Sequence, residues 1–330
     1  MELKLASHSS YPRIGDSPEG QLLRRTIAQR EKGEKTDADL RAAQDRMTEL
    51  AIAEQEAAGI DVVTDGLIRW YDPASHLAGK LTGIHINGLL RFFDTNFYFR
   101  QPIVEGKIER TGPMVIDEFV FARGKASRTV KAVLTGPYTL ARLSLAKDGG
   151  TQLDSLVEQY AKAVAGEVGA LADAGATLIQ VDEPAILKHP EEFALLESGV
   201  RALATQKKSA KLMMAFYFGD VAPLYARLQA LPVDALCLDF TYSPGLAGVV
   251  AKEGSSKSLA LGLIDGRNTR LENADETARQ IEQLLPAIKA DNAYLTSSCG
   301  LEYLPRDRAQ LKLKHLKTVK DTFLGLGKGA

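Results

Sequence analysis

Eight short apolar runs are spread from one end of the chain to the other, and each stops at a polar cluster. The runs finish at residues 7–13 (S-H-S-S-Y-P-R), 64–65 (T-D), 135–137 (T-G-P), 180–184 (Q-V-D-E-P), 217–220 (Y-F-G-D), Asp239, 265–268 (D-G-R-N) and 297–300 (S-S-C-G). A parallel strand covered on both faces reads as a continuous Val/Ile/Leu run, and crossover helices fill the stretches between such runs. Eight units of this kind in 330 residues predict an α/β fold, a (β/α)8 TIM barrel, with ligand and catalytic groups gathered at the C-terminal ends of the strands. A doubly wound open sheet shares both the alternation and the strand-end ligands, but the strand count favours the barrel. No Pro/Ser/Gly-rich linker divides the chain, so a single domain over residues 1–330 is expected.

Between the first two runs, residues from about Gly20 to Gly59 carry helical period and end at Gly59, a natural residue to follow a helix C-terminus. The largest interruption lies after the second strand, at about residues 83–125. It is rich in aromatics and in alternating residues, G-L-L-R-F-F-D-T-N-F-Y-F-R-Q-P and then P-M-V-I-D-E-F-V-F-A-R-G-K. This alternation, with its Asn-Gly signal, predicts a β-hairpin insertion that roofs the barrel mouth.

Forty-one Lys and Arg stand against 42 Asp and Glu, for a formal net charge of -1. No global field draws this chain to nucleic acid or to an anionic membrane, so any anionic ligand is held locally. The start, M-E-L-K-L-A-S-H, lacks the pattern of a secretory leader, and no run reaches the roughly 18 residues that span a bilayer. The only two cysteines, Cys237 and Cys299, imply neither a disulfide framework nor a Cys-based structural zinc site. A cytoplasmic location is expected.

The sharpest chemical signal is Asp182-Glu183-Pro184 at the end of an apolar strand. Successive side chains point to opposite sides, so one carboxylate faces the barrel axis. There it binds an ammonium or hydroxyl group or acts as a base; the alternative is a carboxylate that caps the next helix or pairs with an Arg. Cys299 sits in a Gly-bearing strand-end turn, as a thiolate ligand or nucleophile on one reading and as a small buried hydrophobe on the other. Arg13, Arg267 and Asn268 are strand-end groups that could fork onto a carboxylate or phosphate, or pair with strand-end Asp residues. Trp70, Tyr71 and the aromatic residues at 92, 93 and 97–99 could stack on a flat ligand or pack as a hairpin roof. His8, His76, His85, His189 and His315 are scattered, without H-x-C, H-x-x-x-H or H-E-x-x-H spacing. His8 and Cys299 do end the first and last strands, neighbours in a closed barrel. Walker-type, G-x-G-x-x-G and G-x-S-x-G motifs are absent from the strand ends.

Taken together, S-Y-P-R-I-G, E-Q-E-A-A-G-I-D-V-V-T-D-G with W-Y-D behind it, F-F-D-T-N-F-Y-F-R-Q-P, L-T-G-P-Y-T-L, I-Q-V-D-E-P-A, D-G-R-N and S-S-C-G-L-E-Y-L-P resemble the cobalamin-independent methionine synthase family, in order and over nearly the whole chain. Full-length members carry two (β/α)8 barrels, and the catalytic one uses a zinc that binds the homocysteine thiolate. The P-R-I-G, W-Y-D, F-D-T-N-x-Y and G-R-N motifs look most like the N-terminal, zinc-free barrel.

The resemblance implies methyl transfer to a thiol such as homocysteine, with Asp182, Glu183 and Cys299 as the catalytic candidates. Arg13, Asp65, Trp70 and Asn96 are substrate-binding candidates, together with Tyr98, Asp239, Arg267 and Asn268. No metal ligand is assigned and the cofactor stays open. In the catalytic barrel a His-x-Cys pair lies where this chain offers Phe216, Tyr217 and Phe218, which cannot replace it. Asp239 and Cys299 match the other two ligand positions, so zinc has two of its four usual partners. A polyglutamylated folate tail meets few cations after P-R-I-G, which points the donor toward a methyl-corrinoid protein or another source. The competing reading is a non-catalytic, ligand-binding subunit that pairs with a separate zinc-bearing barrel; a third is a related barrel with other acid–base chemistry.

Overall fold

A computed structural model describes residues 1–147, 149 and 151–326. Twelve strands occur among the described residues: β1 Glu2–Leu5, β2 Val62–Val63, β3 Leu81–Arg91, β4 Tyr98–Arg110, β5 Thr129–Val130, β6 Ala132–Thr135, β7 Leu145–Ala146, β8 Leu178–Asp182, β9 Lys211–Phe216, β10 Ala235–Asp239, β11 Ser258–Ile264 and β12 Asn292–Ser297. Seven of them form one parallel sheet in the order β1-β12-β11-β10-β9-β8-β6. The short pair β2–β5 is also parallel, Ala6 after β1 bridges to Val62, and only Lys131 separates β5 from β6. The fold is therefore α/β with a parallel sheet whose strands alternate with helices.

Alternation along each strand sorts the side chains into two buried layers. On β9, Leu212, Met214 and Phe216 join the large cluster beneath the surrounding helices, while Met213 and Ala215, with Tyr217 just beyond, join an inner cluster. The inner cluster also holds Ala6, Leu178, Ala235, Cys237, Ala260 and Tyr294. Period-2 geometry forces this division, since both faces of a covered parallel strand are dry.

The region expected to be helical up to Gly59 divides into helices Leu22–Glu31 and Asp37–Ala57. Thr36 and Asp39 form a reciprocal capping box at the second, and Gly59 has φ +82°. Strands β3 and β4 pair antiparallel with two register shifts. The second half of the predicted hairpin region behaves differently, because Ile116–Lys125 is an α-helix. Asp117 and Glu118 in its first turn and Arg123 and Lys125 in its last complement the helix dipole, and Glu118, Phe119 and Ala122 form its buried face. The V-I-D-E-F-V-F alternation was thus a helix stripe read at the wrong period. No described helix is long and apolar enough to cross a membrane.

Candidate active site at the strand C-termini

Asp182 and Glu183 diverge as adjacent strand residues must. Asp182, 6% exposed, accepts Gln180 Nε2 at 2.7 Å and the Tyr217 hydroxyl at 3.0 Å. Burial raises its carboxyl to about 6, against the two hydrogen bonds and the Lys131 charge that favour the ionised form. Glu183 turns the other way, to the N-terminus of helix Pro137–Leu143, where it accepts the amides of Tyr138 (3.0 Å) and Thr139 (2.7 Å). It is a buried helix cap, raised to about 7 chiefly by burial.

Lys131, between β5 and β6, is 2% exposed and spends its ammonium on the carbonyls of Ser7 (2.9 Å) and His8 (2.8 Å) and on Gln180 Oε1 (2.5 Å). Desolvation lowers it to about 8, while Cys237 and Asp182 pull the other way. His8 is buried beside it with Nδ1 2.9 Å from Ser9 Oγ and its ring edge-on to Tyr217 at 5.2 Å, and its Nε2 has no partner. Burial first and Lys131 second hold His8 well below its ordinary value, so the ring is neutral.

Cys299 is fully buried; its thiol donates to the Gly300 carbonyl at 3.4 Å, and burial and then Asp239 push it well above the ordinary thiol range. Asp239 accepts the Thr241 amide and hydroxyl, both at 2.8 Å, the Tyr242 amide at 3.1 Å and the Phe218 amide at 3.4 Å. Burial raises it to about 6 in spite of these donors. Two glycines of the sequence motifs are forced by close approach. A Cβ at Gly266 would stand 2.8 Å from Cys299 Sγ, and one at Gly300 would stand 2.0 Å from Ser10 Oγ.

Above these groups lies a cluster of rings. Phe218 packs against Tyr217 (4.7 Å), Tyr303 (5.5 Å), Phe93 (5.9 Å) and Phe92 (6.3 Å). Phe218 (φ +71°) and Phe93 (φ +49°) both hold left-handed backbone, which costs a bulky residue on the order of 1–3 kcal/mol each. Arg267 lies over the Phe218 ring at 5.2 Å and Tyr242 at 5.0 Å, and donates to the Asp94 carbonyl, tying the β11 end to the segment between β3 and β4. Arg91, Asp94, Asn96, Phe97, Arg267 and Tyr303 line a cleft of about 280 Å³ outside the rings.

The remaining candidates are placed as follows. Arg13 donates to the Trp70 carbonyl and sits 5.9 Å from the Tyr71 ring centre, and its charge acts on the Glu302 carboxyl. Trp70 is buried, donating to Glu118 at 3.0 Å and stacked on His76 at 4.9 Å, which is a packing role. Asp65 accepts the Leu67 amide at 3.1 Å and is raised to about 7 by burial and by Glu118. Asn96 and Tyr98 are exposed, as is Asn268, whose side chain closes a turn onto the Arg270 amide. The structure thus gathers Asp182, Asp239, Cys299 and Arg267 at one mouth and leaves Trp70, Tyr98 and Asn268 outside it. Sequence reasoning passed over Lys131 and Glu302 and left Tyr217 as a mere replacement. The missed signal for Lys131 was a lone cation inside the apolar run T-V-K-A-V-L-T.

Buried carboxylates, a thiol and an imidazole thus collect at the C-terminal ends of the parallel strands of an α/β fold, the end at which such folds bind ligands. Residues 11–321 match the family model described as cobalamin-independent synthase, catalytic domain. The chain is 34% identical over 315 residues to the methionine synthase of Sulfurisphaera tokodaii, covering 94% of this chain and 90% of the relative. It is 32% identical over 306 residues to that of Saccharolobus solfataricus, covering 91% and 90%. A B12-independent methionine synthase structure from Shewanella sp. W3-18-1, in complex with selenomethionine, superposes with a TM-score of 0.81 at 20% identity over 99% of both chains, and so shares the fold. The chain belongs to the cobalamin-independent methionine synthase family. The family model that matches is that of the catalytic domain, whereas the sequence motifs alone pointed to the N-terminal, zinc-free barrel.

The zinc that the family implies does not fit the residues present. Asp239 and Cys299 lie close enough to influence each other, but the residues just after β9 that approach them are the aromatic Tyr217 and Phe218. Among the described residues, the one group of three His, Cys, Asp or Glu with ligand atoms within 4.8 Å is His189, Glu191 and Glu192, which includes neither Asp239 nor Cys299. Glu192 there is already engaged by Arg142 and Tyr138.

Proposed function

We propose that this protein transfers a methyl group to the thiol of homocysteine at the mouth built by Asp182, Tyr217, Asp239 and Cys299. The observation that carries the reading is Asp182, a buried carboxylate at a strand C-terminus with no cation bonded to it directly among the described residues. An ammonium group satisfies such a carboxylate better than its two neutral donors do, because an uncompensated buried charge costs several kcal/mol. Asp182 would hold the amino group of the amino-acid thiol, Arg267 would sit where a carboxylate or an anionic donor passes the ring cluster, and the rings would exclude water from the transfer.

The pairings β2–β5 and Ala6–Val62, added to the seven-stranded sheet, support reading the strands as one closed (β/α)8 ring over residues 1–330, with β3–β4 inserted above its mouth. Two buried, unpaired thiols suit a reducing cytoplasm. The second reading, a subunit completed by a separate metal-bearing barrel or served by a corrinoid protein, is favoured by the two-of-four ligand set. The test is methionine formation from homocysteine with methylpterin, methyl-corrinoid and sulfonium donors. Methionine with one donor, reduced at least 100-fold by Asp182→Asn, supports the proposal; no methionine with any donor overturns catalysis by this chain alone.

A further inference from the structure

Most acceptors at the strand ends already have hydrogen-bond partners, Glu302 among them through Ser10 and Tyr303. Asp182 carries Gln180 and Tyr217 and is assigned above to the substrate's amino group, and Asp239 is bonded by the Thr241, Tyr242 and Phe218 donors. The Cys299 thiol is turned onto the Gly300 carbonyl. Ser7 Oγ and Thr296 Oγ1 are buried without partners, but a hydroxyl is too weak a base to take a proton from a thiol. His8 Nε2 is the remaining unpartnered atom here, on a ring 3% exposed, wedged edge-on against the same Tyr217 that bonds Asp182. The Ser9 hydroxyl fixes the Nδ1 side, which leaves Nε2 as the acceptor when Nδ1 carries the proton.

We propose that this site activates its thiol substrate without a metal, His8 Nε2 accepting the thiol proton while Lys131 supplies the buried positive charge. The inference rests on the methyl-transfer reading above. As the S–H bond breaks, Nε2–H forms; a sulfur electron pair makes the S–CH3 bond and the CH3–X bond of the donor breaks with its pair on X. The proton then passes from Nε2 to X, so that RSH and CH3–X give RSCH3 and HX. The same Lys131 field that favours a developing thiolate disfavours an imidazolium, which suits proton transfer concerted with methyl transfer rather than a stored ion pair. Lys131 bonds only to protein groups and acts as a positioning and field residue, not as a reactant.

The experiment compares wild type, His8→Gln and Ser9→Ala after exhaustive chelation and again with zinc supplied, measuring homocysteine binding, proton release on binding and methionine formation. The expected result is undiminished binding and turnover in chelator, with no proton released on binding. His8→Gln should keep homocysteine affinity but lose 100-fold or more in turnover. Ser9→Ala, which leaves the ring in place and serves if the first variant misfolds, should lose about 10-fold by freeing the tautomer. Turnover that vanishes in chelator and returns with zinc, with one proton released per thiol bound, would overturn the inference while leaving methyl transfer intact. Wild-type turnover in His8→Gln would do the same. A protein inert toward homocysteine under every condition would sink the functional reading and this inference together.

Discussion

Replacing Glu183 with Gln sets two opposing effects against each other. The carboxylate has no exposed surface, accepts two helix-terminal amides, and stands so close to Gly136 that a Cβ there would lie 2.2 Å from it. Burial raises its carboxyl from 4.5 to about 7. A carboxyl whose folded-state value exceeds its unfolded value stabilises the fold fully below the unfolded value, and that contribution is lost as pH rises through the folded one. The window is therefore about pH 4.5 to 7, and a displacement of roughly 2.5 units is worth about 3 kcal/mol. The Gln variant does not titrate, but it loses one of two amide bonds, at a cost of about 1–3 kcal/mol. The variant should thus be less stable than wild type at pH 5 and equal to it or more stable at pH 8. Urea midpoints at the two pH values, with unchanged slopes, measure the difference. A constant deficit at both pH values would refute the reasoning, for it would mean that the helix terminus and its amides keep Glu183 ionised throughout.

Three other outcomes follow from the same geometry. Burial alone would raise Glu118, but hydrogen bonds and charge from His76 and Lys80 outweigh it and bring it to about 2. Its contribution is present above pH 4.5 and fades as pH falls toward 2, and Glu118→Gln should remove that acid slope and cost about 3 kcal/mol at pH 7, seen by denaturant titration. Lys131→Met should leave the Ser7 and His8 carbonyls and Gln180 Oε1 without a donor and destabilise by roughly 3–5 kcal/mol; a loss under 1 kcal/mol would show that the cation is dispensable. Lys208, exposed with φ +52° after helix Phe193–Gln206, gives up only a surface pair with Asp173 when changed to Gly. That change should raise the melting temperature, by about 0.5–1 kcal/mol of relieved strain, and a lower one would contradict it.

Much of this molecule was legible in the chain because the signals involved are local. The apolar runs marked the parallel strands, since each must bury both faces, and D-E-P announced one axial and one outward carboxylate because successive strand residues cannot point the same way. The run V-I-D-E-F-V-F misled because alternation and a helical stripe overlap over so few residues, and the charges that settle the helix act along its axis. Trp70 and Tyr98 belonged to recognisable motifs, yet one packs under His76 and Glu118 and the other faces solvent.

The sequence by itself determined the class of fold, the family and the strand ends where chemistry gathers. It also determined that β9 brings aromatic rings where a His-x-Cys pair would be needed. Tertiary structure alone decided which carboxylate meets Gln180 and Tyr217 and which caps a helix. It also put Lys131 against the carbonyls of Ser7 and His8, more than 120 residues away. Above all it left His8 Nε2 buried without a hydrogen-bond partner. Burial, hydrogen-bond pairing and charge proximity are properties of groups that meet across strands, and no local pattern of residues carries them.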